Sequence, residues 1–536
     1  MPLPQPPTLL TDPRVRAAYA EAAGIYRILP EAVALPHSVS DLQQVLRWAA
    51  ATGTPLVPRG AGSGMPGGNV GRGVIVDLSR GRELGGVTIE PARRRARAGA
   101  ATTWAQVSEA ARPFGLRLPP DPSSGAFATC GGMVSTNAAG PRSVRYGSVR
   151  RWVEAIEVVA ADGEARTIRR GGGAGPWRLT PDTRHQVAQR FPRTRKNSSG
   201  YALDACAASG DELDLLIGSE GTLAVVTAVE WRLDPIPPAL AGAALGFRDL
   251  DALAEAVPFL LALEPSALEL LDRTLLAFVA EAGGEVPKGL EGLLLVEFER
   301  DTAAAARGAV GDAVRGLRAP ADHVETAVDR AGLEQLWAVR RMASPALARL
   351  PAKRRSLQVI EDGCVPVDRL ADYIREIRRA AARQGIPVAA FGHAGDGHLH
   401  VNALPDVTEP GWRREGQRVL AALLDDVTAL QVRLGGTPSG EHGDGRLRAG
   451  LGERFYGPEL MAAFRELKRA YDPLGILNPG VIIPAADWAP LAELKVGGDA
   501  APIPDDIAHR LRETERTAGW GVPKPELARQ SPTPDT

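Results

Sequence analysis

The sequence is poor in cysteine and has no long apolar run. Its 536 residues include three cysteines, Cys130, Cys206 and Cys364, which lie far apart. This argues against a disulfide framework and against the grouped thiolates that ligate an iron–sulfur cluster. No stretch has the ~20 apolar residues that a membrane-spanning helix requires, and the opening MPLPQPPTLL lacks the features of a signal peptide. We therefore expect a soluble cytoplasmic protein without a transmembrane segment, and peripheral contact with the inner membrane stays open.

Neither sign of charge dominates. Lys and Arg total 63 against 64 for Asp and Glu, which gives a formal net charge of -1. This balance predicts no general affinity for nucleic acid. We interpret the local cluster ARRRARA (92–98) as the solvated face of a strand or turn.

The pattern of apolar residues and prolines predicts two large mixed domains. Short β-type runs alternate with helical stretches on both sides of a proline-rich break, LDPIPPALAG (233–242). A helix is expected around 14–24 and another near 505–517. We divide the chain into an N-terminal lead (1–36), a first domain (37–234), a second domain (235–420), a mostly helical segment (421–484) and a proline-rich tail (485–536).

A glycine-rich segment follows the predicted strand PLVPR. Five glycines occur within residues 60–68, hereafter the glycine loop, and Gly62, Gly64 and Gly67 satisfy G-x-G-x-x-G. The dinucleotide-binding fingerprint requires a helix directly afterwards, but GRGVIVDLS predicts a strand. Backbone N–H groups without side chains can still converge on a phosphate. We predict a phosphate-binding loop between two strands; the alternative is a long glycine hairpin.

The histidine segment, FGHAGDGHLHVNAL (391–404), holds three of the eight histidines. Its Gly-Asp-Gly forces a turn, after which His398, His400 and Asn402 share one face of a strand. His393 can fold back beside His400, and two imidazoles so placed can ligate a Zn²⁺-like ion. The alternatives are histidines satisfied in the core or on an exposed edge.

A second polar segment, the glutamate loop TPSGEHGDGR (437–446), can complete such a site. Glu441 is a candidate third ligand and His442 a candidate base. The alternative is an ordinary glycine-rich connection between helices.

Three stretches together resemble the flavoproteins grouped with vanillyl-alcohol oxidase and p-cresol methylhydroxylase. They are RGAGS (59–63), PPDPSSGAFATCGGMVSTNAAGPRSVRYGS (119–148) and GSEGTLAVVTAVEWRL (218–233). The resemblance implies an α+β fold, with a two-subdomain FAD-binding domain, an α+β substrate (cap) domain and a helical C-terminal segment. No histidine lies between His37 and His185 to tether the flavin, so we expect the FAD to be bound non-covalently.

The same resemblance implies which residues contact the cofactor. The glycine loop and Arg59 would wrap the pyrophosphate, the second stretch would lie near the flavin or its ribityl chain, and Gly221 and Thr222 would lie near the adenine half. The implied cofactor-binding residues are Pro58, Arg59, Gly60, Ala61, Gly62, Ser63, Gly64, Gly67, Gly68, Pro122, Ser123, Gly132, Ser135, Thr136, Asn137, Gly140, Gly221, Thr222 and Asn478.

The C-terminal half resembles the FAD-linked D-2-hydroxyacid dehydrogenases, which include D-lactate dehydrogenases, glycolate oxidase catalytic subunits and D-2-hydroxyglutarate dehydrogenases. Their H-x-G-D-G-x-x-H-x-N and E-H-G patterns occur at 393–402 and 441–443, and LWAVRR (336–341), EDGCVP (361–366) and YDPLGILNPG (471–480) also fit. The resemblance implies metal ligands His393, His400 and Glu441, catalytic His442 and Arg340, and substrate contacts from Arg340, Ser344, His398 and Asn402.

Two positions depart from the family pattern. His398 replaces a frequent asparagine, and Ile360 replaces a lysine that binds substrate in the hydroxyglutarate enzymes. The second departure weakens the case for that dicarboxylate, although a basic side chain among Lys353, Arg354 and Arg355 could serve instead.

The resemblance implies oxidation of a lactate-, glycolate- or hydroxyglutarate-like D-2-hydroxy acid to the 2-oxo acid. A divalent metal, Zn or Mn, would assist, and FAD would accept the hydride. An external acceptor would take the electrons: a quinone, a cytochrome, an electron-transfer flavoprotein or a separate iron–sulfur subunit. The alternatives are a transferase similar to alkyl-dihydroxyacetonephosphate synthase, a flavin-free metal hydrolase and a non-catalytic binding module.

Overall fold

The computed structural model describes residues 6–529 except 318, 352, 409 and 497–499. Its N-terminal half combines a parallel sheet of order β1-β3-β2, an antiparallel sheet of order β4-β5-β9-β7-β8 and a short β10-β6 pair. The strands are β1 (Ala32–Ala34), β2 (Leu56–Arg59), β3 (Val74–Asp77), β4 (Val87–Glu90), β5 (Arg95–Gly99), β6 (Leu116–Arg117), β7 (Val153–Val159), β8 (Ala165–Arg169), β9 (Val225–Arg232) and β10 (Asp234–Pro235).

Short helices pack around these sheets. The first long one, α2, begins with a reciprocal capping box between Ser38 and Asp41 and ends at Gly53 in the left-handed conformation. The helices of this half are α1 (Pro13–Ala18), α2 (Val39–Thr52), α3 (Trp104–Ala111), α4 (Cys130–Thr136), α5 (Ser143–Tyr146), α6 (Pro181–Arg190), α7 (Leu203–Ser209) and α8 (Glu212–Leu216).

The second half is built on an antiparallel sheet of order β14-β11-β13-β12-β16-β17-β15. β17, which carries the histidines, is therefore an interior strand and not the exposed edge that the sequence left open. The strands are β11 (Ala239–Phe247), β12 (Ala267–Asp272), β13 (Gly292–Arg300), β14 (His323–Ala327), β15 (Gly363–Cys364), β16 (Val388–Gly392) and β17 (His398–Ala403).

Amphipathic helices cover this sheet. In α15 the buried side chains recur with helical spacing, so that one face enters the core. The helices are α9 (Leu250–Ala262), α10 (Arg273–Glu281), α11 (Ala303–Arg315), α12 (Arg330–Leu336), α13 (Ala338–Arg341), α14 (Ala343–Ala348), α15 (Leu370–Arg383), α16 (Pro410–Arg433), α17 (Gly445–Arg448), α18 (Gly452–Tyr471, kinked at Gly457), α19 (Asp505–Thr517) and α20 (Lys524–Leu527).

Several predictions for individual segments can be compared with this structure. The glycine loop joins parallel strands, β2 and β3, so it is a crossover and not a hairpin. The cluster at 92–98 includes β5 arginines that pair with glutamates of β9 and β7, as in Arg97 with Glu157 of β7 at 2.7 Å. The boundary expected at 420 falls within α16. The helix expected near 505–517 is α19.

The helix expected around 14–24 is wrong in length, because α1 ends at Ala18. Beyond it the backbone turns towards the glycine loop, and the Ala23 N–H donates to the Gly62 carbonyl at 3.0 Å. This contact with the loop replaces the helical hydrogen bond. Among the described residues, no helix combines the length and the apolar character needed to cross a bilayer.

The two ends of the described chain pack against each other. Ala17 and Ala18 of α1 contact Ile507 and Leu511 of α19 and Leu527 of α20 in one apolar cluster. This contact places the last described helices beside the first strand–loop unit of the protein.

Lys524 is buried in this contact. Its ammonium group lies 4.9 Å from the Trp520 ring centre, and no hydrogen-bond partner for it is found in the described part of the chain. Burial and the nearby Arg59 lower the pKa of Lys524 to about 7.

Lys524→Met should increase the free energy of unfolding by about 1–3 kcal/mol at pH 7. In the unfolded chain the Lys524 side chain has the ordinary lysine pKa of ~10.4, whereas in the folded chain its pKa is about 7. Between these values the unfolded chain binds more protons, so wild-type stability falls as the pH drops from about 10 to about 7. The gain should therefore nearly vanish at pH 10. Urea titrations at pH 7 and pH 10 measure the free energy of unfolding, with the exposed Lys288→Met as the control. An equal gain at both pH values would contradict this account.

Candidate active site

A cavity of about 1020 Å³ lies between the two halves. The glycine loop and residues 121–142 form its N-terminal wall, while α12–α14, β17 and the glutamate loop form the opposite wall. The tail contributes Arg512 and Trp520. The cavity is thus large enough for an extended cofactor and a small second ligand.

The glycine loop presents free backbone donors to this cavity. The N–H groups of residues 60–64 donate to no group in the described part of the chain, and such consecutive amides suit an anion. Gly62 has a φ of +79°, and a Cβ atom there would lie 2.4 Å from the Arg59 guanidinium. That guanidinium is itself engaged by the carbonyl oxygens of Tyr19, Glu21 and Asn69. The resemblance implied that Arg59 would wrap the pyrophosphate. Its guanidinium instead supports the glycine loop from behind.

Most residues predicted to bind the cofactor line the cavity. They are Pro58, Arg59, Gly60, Ala61, Gly62, Ser63, Gly64, Gly68, Pro122, Ser123, Gly132, Ser135, Thr136, Gly140 and Gly221.

Gly67, Asn137, Thr222 and Asn478 lie outside the lining. Gly67 packs against the Tyr26 ring, and Asn137 accepts a hydrogen bond from the Arg150 backbone at 3.3 Å. Thr222 is bonded to the Tyr201 hydroxyl at 2.7 Å, and Asn478 donates to the Gly68 carbonyl at 2.7 Å. These four residues were predicted to bind the cofactor. They instead hold the surrounding loops in place and do not line the cavity.

Three predicted metal ligands converge at the opposite wall. Glu441 Oε1 lies 3.0 Å from His393 Nε2 and 3.3 Å from His400 Nε2. The two imidazole rings are perpendicular, with centres 5.2 Å apart. Two imidazoles and one carboxylate form a donor set that Zn²⁺ and similar ions accept, with open positions towards substrate. His400 and Glu441 line the cavity, so those open positions would face it.

Lys196 holds the other oxygen of Glu441. Its Nζ donates to Glu441 Oε2 at 2.8 Å, and both side chains are buried. Burial alone would raise the pKa of Glu441, but Lys196 and His393 outweigh it and lower that pKa well below its usual range. The carboxylate is therefore ionised, with Oε1 directed at the two histidines.

His398 shares its strand face with His400, as predicted, but it does not reach the cavity. Its Nε2 lies 2.8 Å from Asp362 Oδ1, and its Nδ1 lies 3.3 Å from the Lys196 ammonium. A Cβ atom at Gly440 would lie 2.6 Å from the ring. Burial and Lys196 lower the pKa of His398 to about 3, so the ring is neutral. The predicted substrate contact from His398 therefore has no basis in its position.

His442 lies at the cavity wall and is held by an acidic partner. Its Nδ1 donates to Glu361 Oε2 at 2.8 Å, which leaves Nε2 on the side of Glu441, 3.8 Å from Oε1. Burial alone would lower the pKa of His442, but the carboxylates of Asp362 and Glu361 raise it to about 10. Glu361 is in turn bound by Arg448 at 2.5 Å.

Arg340 enters the cavity from α13. Its Nε donates to Glu269 Oε2 at 2.8 Å, and its guanidinium lies 4.6 Å from the Phe391 ring centre. Ser344 and Asn402 also line the cavity, and Asn402 Oδ1 accepts from the Ser356 hydroxyl at 2.8 Å. The structure thus brings Arg340, Ser344 and Asn402 to the same wall as the histidines.

Ile360 and the basic residues at 353–355 bear on whether the cavity offers a cation for the second carboxylate of a dicarboxylate substrate. Ile360 is buried in the core of the second half, outside the cavity lining. Arg355 binds Glu515 at 3.3 Å, and neither Lys353 nor Arg354 is among the described lining residues. None of these three basic residues therefore lines the described cavity in place of the missing lysine.

A second group of donors overlaps the first. Within the described residues, Glu361, Asp362, His400 and His442 also lie close enough to share an ion. Arg448 already neutralises Glu361, and Asp362 accepts hydrogen bonds from Ser439 and from the His442 backbone. The group of His393, His400 and Glu441 therefore fits a divalent cation better.

Four buried residues of this site were not assigned from the sequence. Lys196, Glu269 and Arg448 are single charged residues without a local motif. Glu361 was visible within EDGCVP, whose acidic pair follows an apolar run, but the pattern gave it no role. The signal that could have found it is the burial of two adjacent acids, which requires cations nearby.

Comparison with known proteins identifies two families along the chain. Residues 30–169 match a family described as "FAD binding domain", and residues 236–482 match "FAD linked oxidases, C-terminal domain". A D-lactate dehydrogenase of Archaeoglobus fulgidus is 32% identical over 456 residues, which cover 84% of this chain and 91% of that protein. The chain belongs to the FAD-linked oxidase family. It is accordingly an FAD-dependent oxidoreductase, and the resemblance read from its sequence is confirmed.

Two further relatives show the range of this family. The glycolate oxidase subunit GlcD of Bacillus subtilis is 30% identical over 465 residues, covering 86% of this chain and 90% of that protein. A D-2-hydroxyglutarate dehydrogenase of Escherichia coli is 29% identical over 507 residues, which are 86% of this chain. The chain spans about half of that relative, because the match covers 49% of its length.

Solved structures confirm the predicted fold class. A 4-ethylphenol oxidase from Gulosibacter chungangensis superposes with a TM-score of 0.64 at 18% identity, over 89% of this chain and 94% of that chain. An alkyldihydroxyacetonephosphate synthase gives a TM-score of 0.60 at 17% identity, over 88% and 82%. At these identities the likeness concerns the fold, an FAD-binding domain of the vanillyl-alcohol oxidase type with an α+β cap.

His400→Ala should weaken Zn²⁺ binding by at least 10–100-fold, the range that loss of even an outer partner of a metal ligand causes. Bound FAD should stay unchanged, because the glycine loop is separate from these ligands. Metal content after dialysis and competition with a chelator measure the effect, with the exposed His185→Ala as control. His400 belongs to both groups, so His393→Ala separates them: unchanged Zn²⁺ affinity in His393→Ala, together with a large loss in Glu361→Gln, would move the ion to the second group.

Proposed function

We propose that this protein oxidises a D-2-hydroxy acid to the corresponding 2-oxo acid, with a divalent metal, Zn or Mn, and non-covalent FAD. The observation that carries this proposal is the shared cavity. His400 and Glu441 of the ligand group stand on one wall with Arg340 and His442, and the glycine loop stands on the other. The names of the relatives, D-lactate dehydrogenase and glycolate oxidase subunit, support the same substrate class.

A hydroxy acid needs its carboxylate held and its hydroxyl proton removed. Among the described residues Arg340 donates one hydrogen bond, from Nε, so its two terminal amino groups are available to bind a carboxylate in parallel. Asn402 and Ser344 stand on the same wall to bind the remaining polar atoms. A bound divalent cation would supply the charge that makes the hydroxyl more acidic, and bound FAD would supply the hydride acceptor.

His442 is the residue we assign as general base. Its Nδ1 is engaged by Glu361, so Nε2 is the nitrogen that can accept the hydroxyl proton. Asp362 and Glu361 raise the pKa of His442. A cation bound beside Glu441 would oppose that rise and favour the neutral ring that a base requires.

The electrons must leave FAD for an external acceptor. The cysteines Cys130, Cys206 and Cys364 are each buried and separate in the fold. We propose that a quinone, a cytochrome, an electron-transfer flavoprotein or a separate iron–sulfur subunit serves as acceptor.

Anaerobic mixing with D- and L-lactate, glycolate and D-2-hydroxyglutarate should bleach the flavin absorbance with glycolate or one of the D-acids and not with L-lactate. Removing metal with a chelator should abolish bleaching while FAD stays bound. A flavin that none of these acids reduces, in protein that retains FAD and metal, would contradict the proposal. It would favour the alkyl-dihydroxyacetonephosphate synthase-like transfer, which has no net redox change.

His442→Ala should slow flavin reduction by about 10²–10⁴, the usual contribution of a general base. FAD content and Zn²⁺ affinity should stay near those of the wild type. Stopped-flow absorbance measures the rate, and His398→Asn is the comparison, because His398 lies behind the cavity wall. If His398→Asn stalled reduction and His442→Ala barely changed it, the assignment of the base would be wrong.

A further inference from the structure

Glu269 joins two parts of the active site that the sequence treats separately. It lies on β12, fully buried, next to the end of β16 from which His393 follows. Its Oε1 accepts from His393 Nδ1 at 2.6 Å, and its Oε2 accepts from Arg340 Nε at 2.8 Å. One carboxylate therefore contacts both a metal ligand and the arginine assigned to the substrate carboxylate.

The contact with His393 decides which ring nitrogen is free. A carboxylate accepts only, so the Nδ1 atom of His393 must carry the proton that it donates. The lone pair then belongs to Nε2, which lies 3.0 Å from Glu441 Oε1 on the side of the ligand group. A carboxylate on the far nitrogen also makes an imidazole a stronger metal ligand.

The contact with Arg340 decides the direction of the guanidinium. Glu269 takes the Nε–H, and the Phe391 ring lies 4.6 Å from the guanidinium carbon. A planar group held at Nε and packed on a ring has little rotational freedom. Its two terminal amino groups then keep a fixed position in the cavity that Arg340 lines.

We propose that Glu269 is a positioning residue that orients His393 for the metal and Arg340 for the substrate carboxylate at the same time. This inference rests on the proposed function, which assigns the metal to His393 and the substrate carboxylate to Arg340. Two oxygens of one buried carboxylate fix the distance between the two binding groups, and hence where a hydroxy acid can bridge them. Gln at this position has one accepting oxygen and could satisfy only one of the two donors.

The metal half of this proposal predicts weaker Zn²⁺ binding in Glu269→Gln. The expected loss is about 10–100-fold, the range for an outer partner of a metal-ligating histidine. Chelator competition on protein that retains FAD measures it without turnover. Glu299→Gln is the matched control, because Glu299 is also buried and paired with an arginine, Arg117 at 2.8 Å, but is not among the described lining residues.

The substrate half is measured with oxamate, an isostere of a 2-oxo acid, on metal-free protein with FAD bound. Glu269→Gln should bind oxamate about five- to tenfold more weakly than the wild type. Removing a negative charge beside Arg340 would by itself strengthen anion binding. The change of charge therefore cannot explain weaker binding, and equal or tighter binding would overturn this half of the proposal.

A double substitution separates positioning from a merely structural role. In the Arg340→Met background, Glu269→Gln should leave the residual oxamate affinity unchanged but still weaken Zn²⁺ binding by 10–100-fold. This variant also loses both charges of the pair, so it should fold even if Glu269→Gln alone does not. Wild-type Zn²⁺ affinity in it would overturn the proposal. If the wild type itself binds neither Zn²⁺ nor oxamate, the proposed function fails instead.

Discussion

Lys196 and Glu441 face each other at 2.8 Å in the interior, with side chains only 5% and 8% exposed. Either charge alone would be costly to bury, so each requires the other. Lys196 comes from the half that carries the glycine loop, and Glu441 comes from the C-terminal glutamate loop. The ion pair therefore joins the two halves and, by engaging Oε2, also turns Oε1 of Glu441 towards His393 and His400. The geometry of the candidate metal site depends on this contact.

Backbone contacts strengthen the same connection, and charge completes it. Glu220, beside the cofactor loops, accepts from the amides of Asp444 and Gly445 within the glutamate loop. Around the ligand group, buried carboxylates outnumber buried lysine and arginine side chains, and the pKa values of His393 and His442 are both raised in response. A divalent cation bound there would offset these carboxylates and lower both pKa values, which is the usual coupling between metal binding and proton release.

Local sequence patterns predicted the parts of this site that lie within short segments. The strand alternation after Gly397 placed His398 and His400 on one face, and the glycine spacing indicated an anion loop between strands. Alternation cannot tell whether a side chain reaches a cavity or lies behind its wall, which is why His398 was misplaced. Contacts between distant charged residues have no local pattern, because the fold alone brings them together. This applies to Lys196 with Glu441, Glu269 with His393, and Arg448 with Glu361, which are separated by 245, 124 and 87 residues.

The central claim is that the flavin and a metal share one cavity through His393, His400 and Glu441. A crystal structure of the FAD- and Zn²⁺-loaded protein, with anomalous diffraction collected at the zinc absorption edge, tests it most directly. The account predicts one strong peak about 2.0–2.2 Å from the Nε2 atoms of both histidines and from a Glu441 oxygen, facing the flavin ring. A peak held by Glu361, Asp362 and His442, or no peak within this cavity, would contradict it.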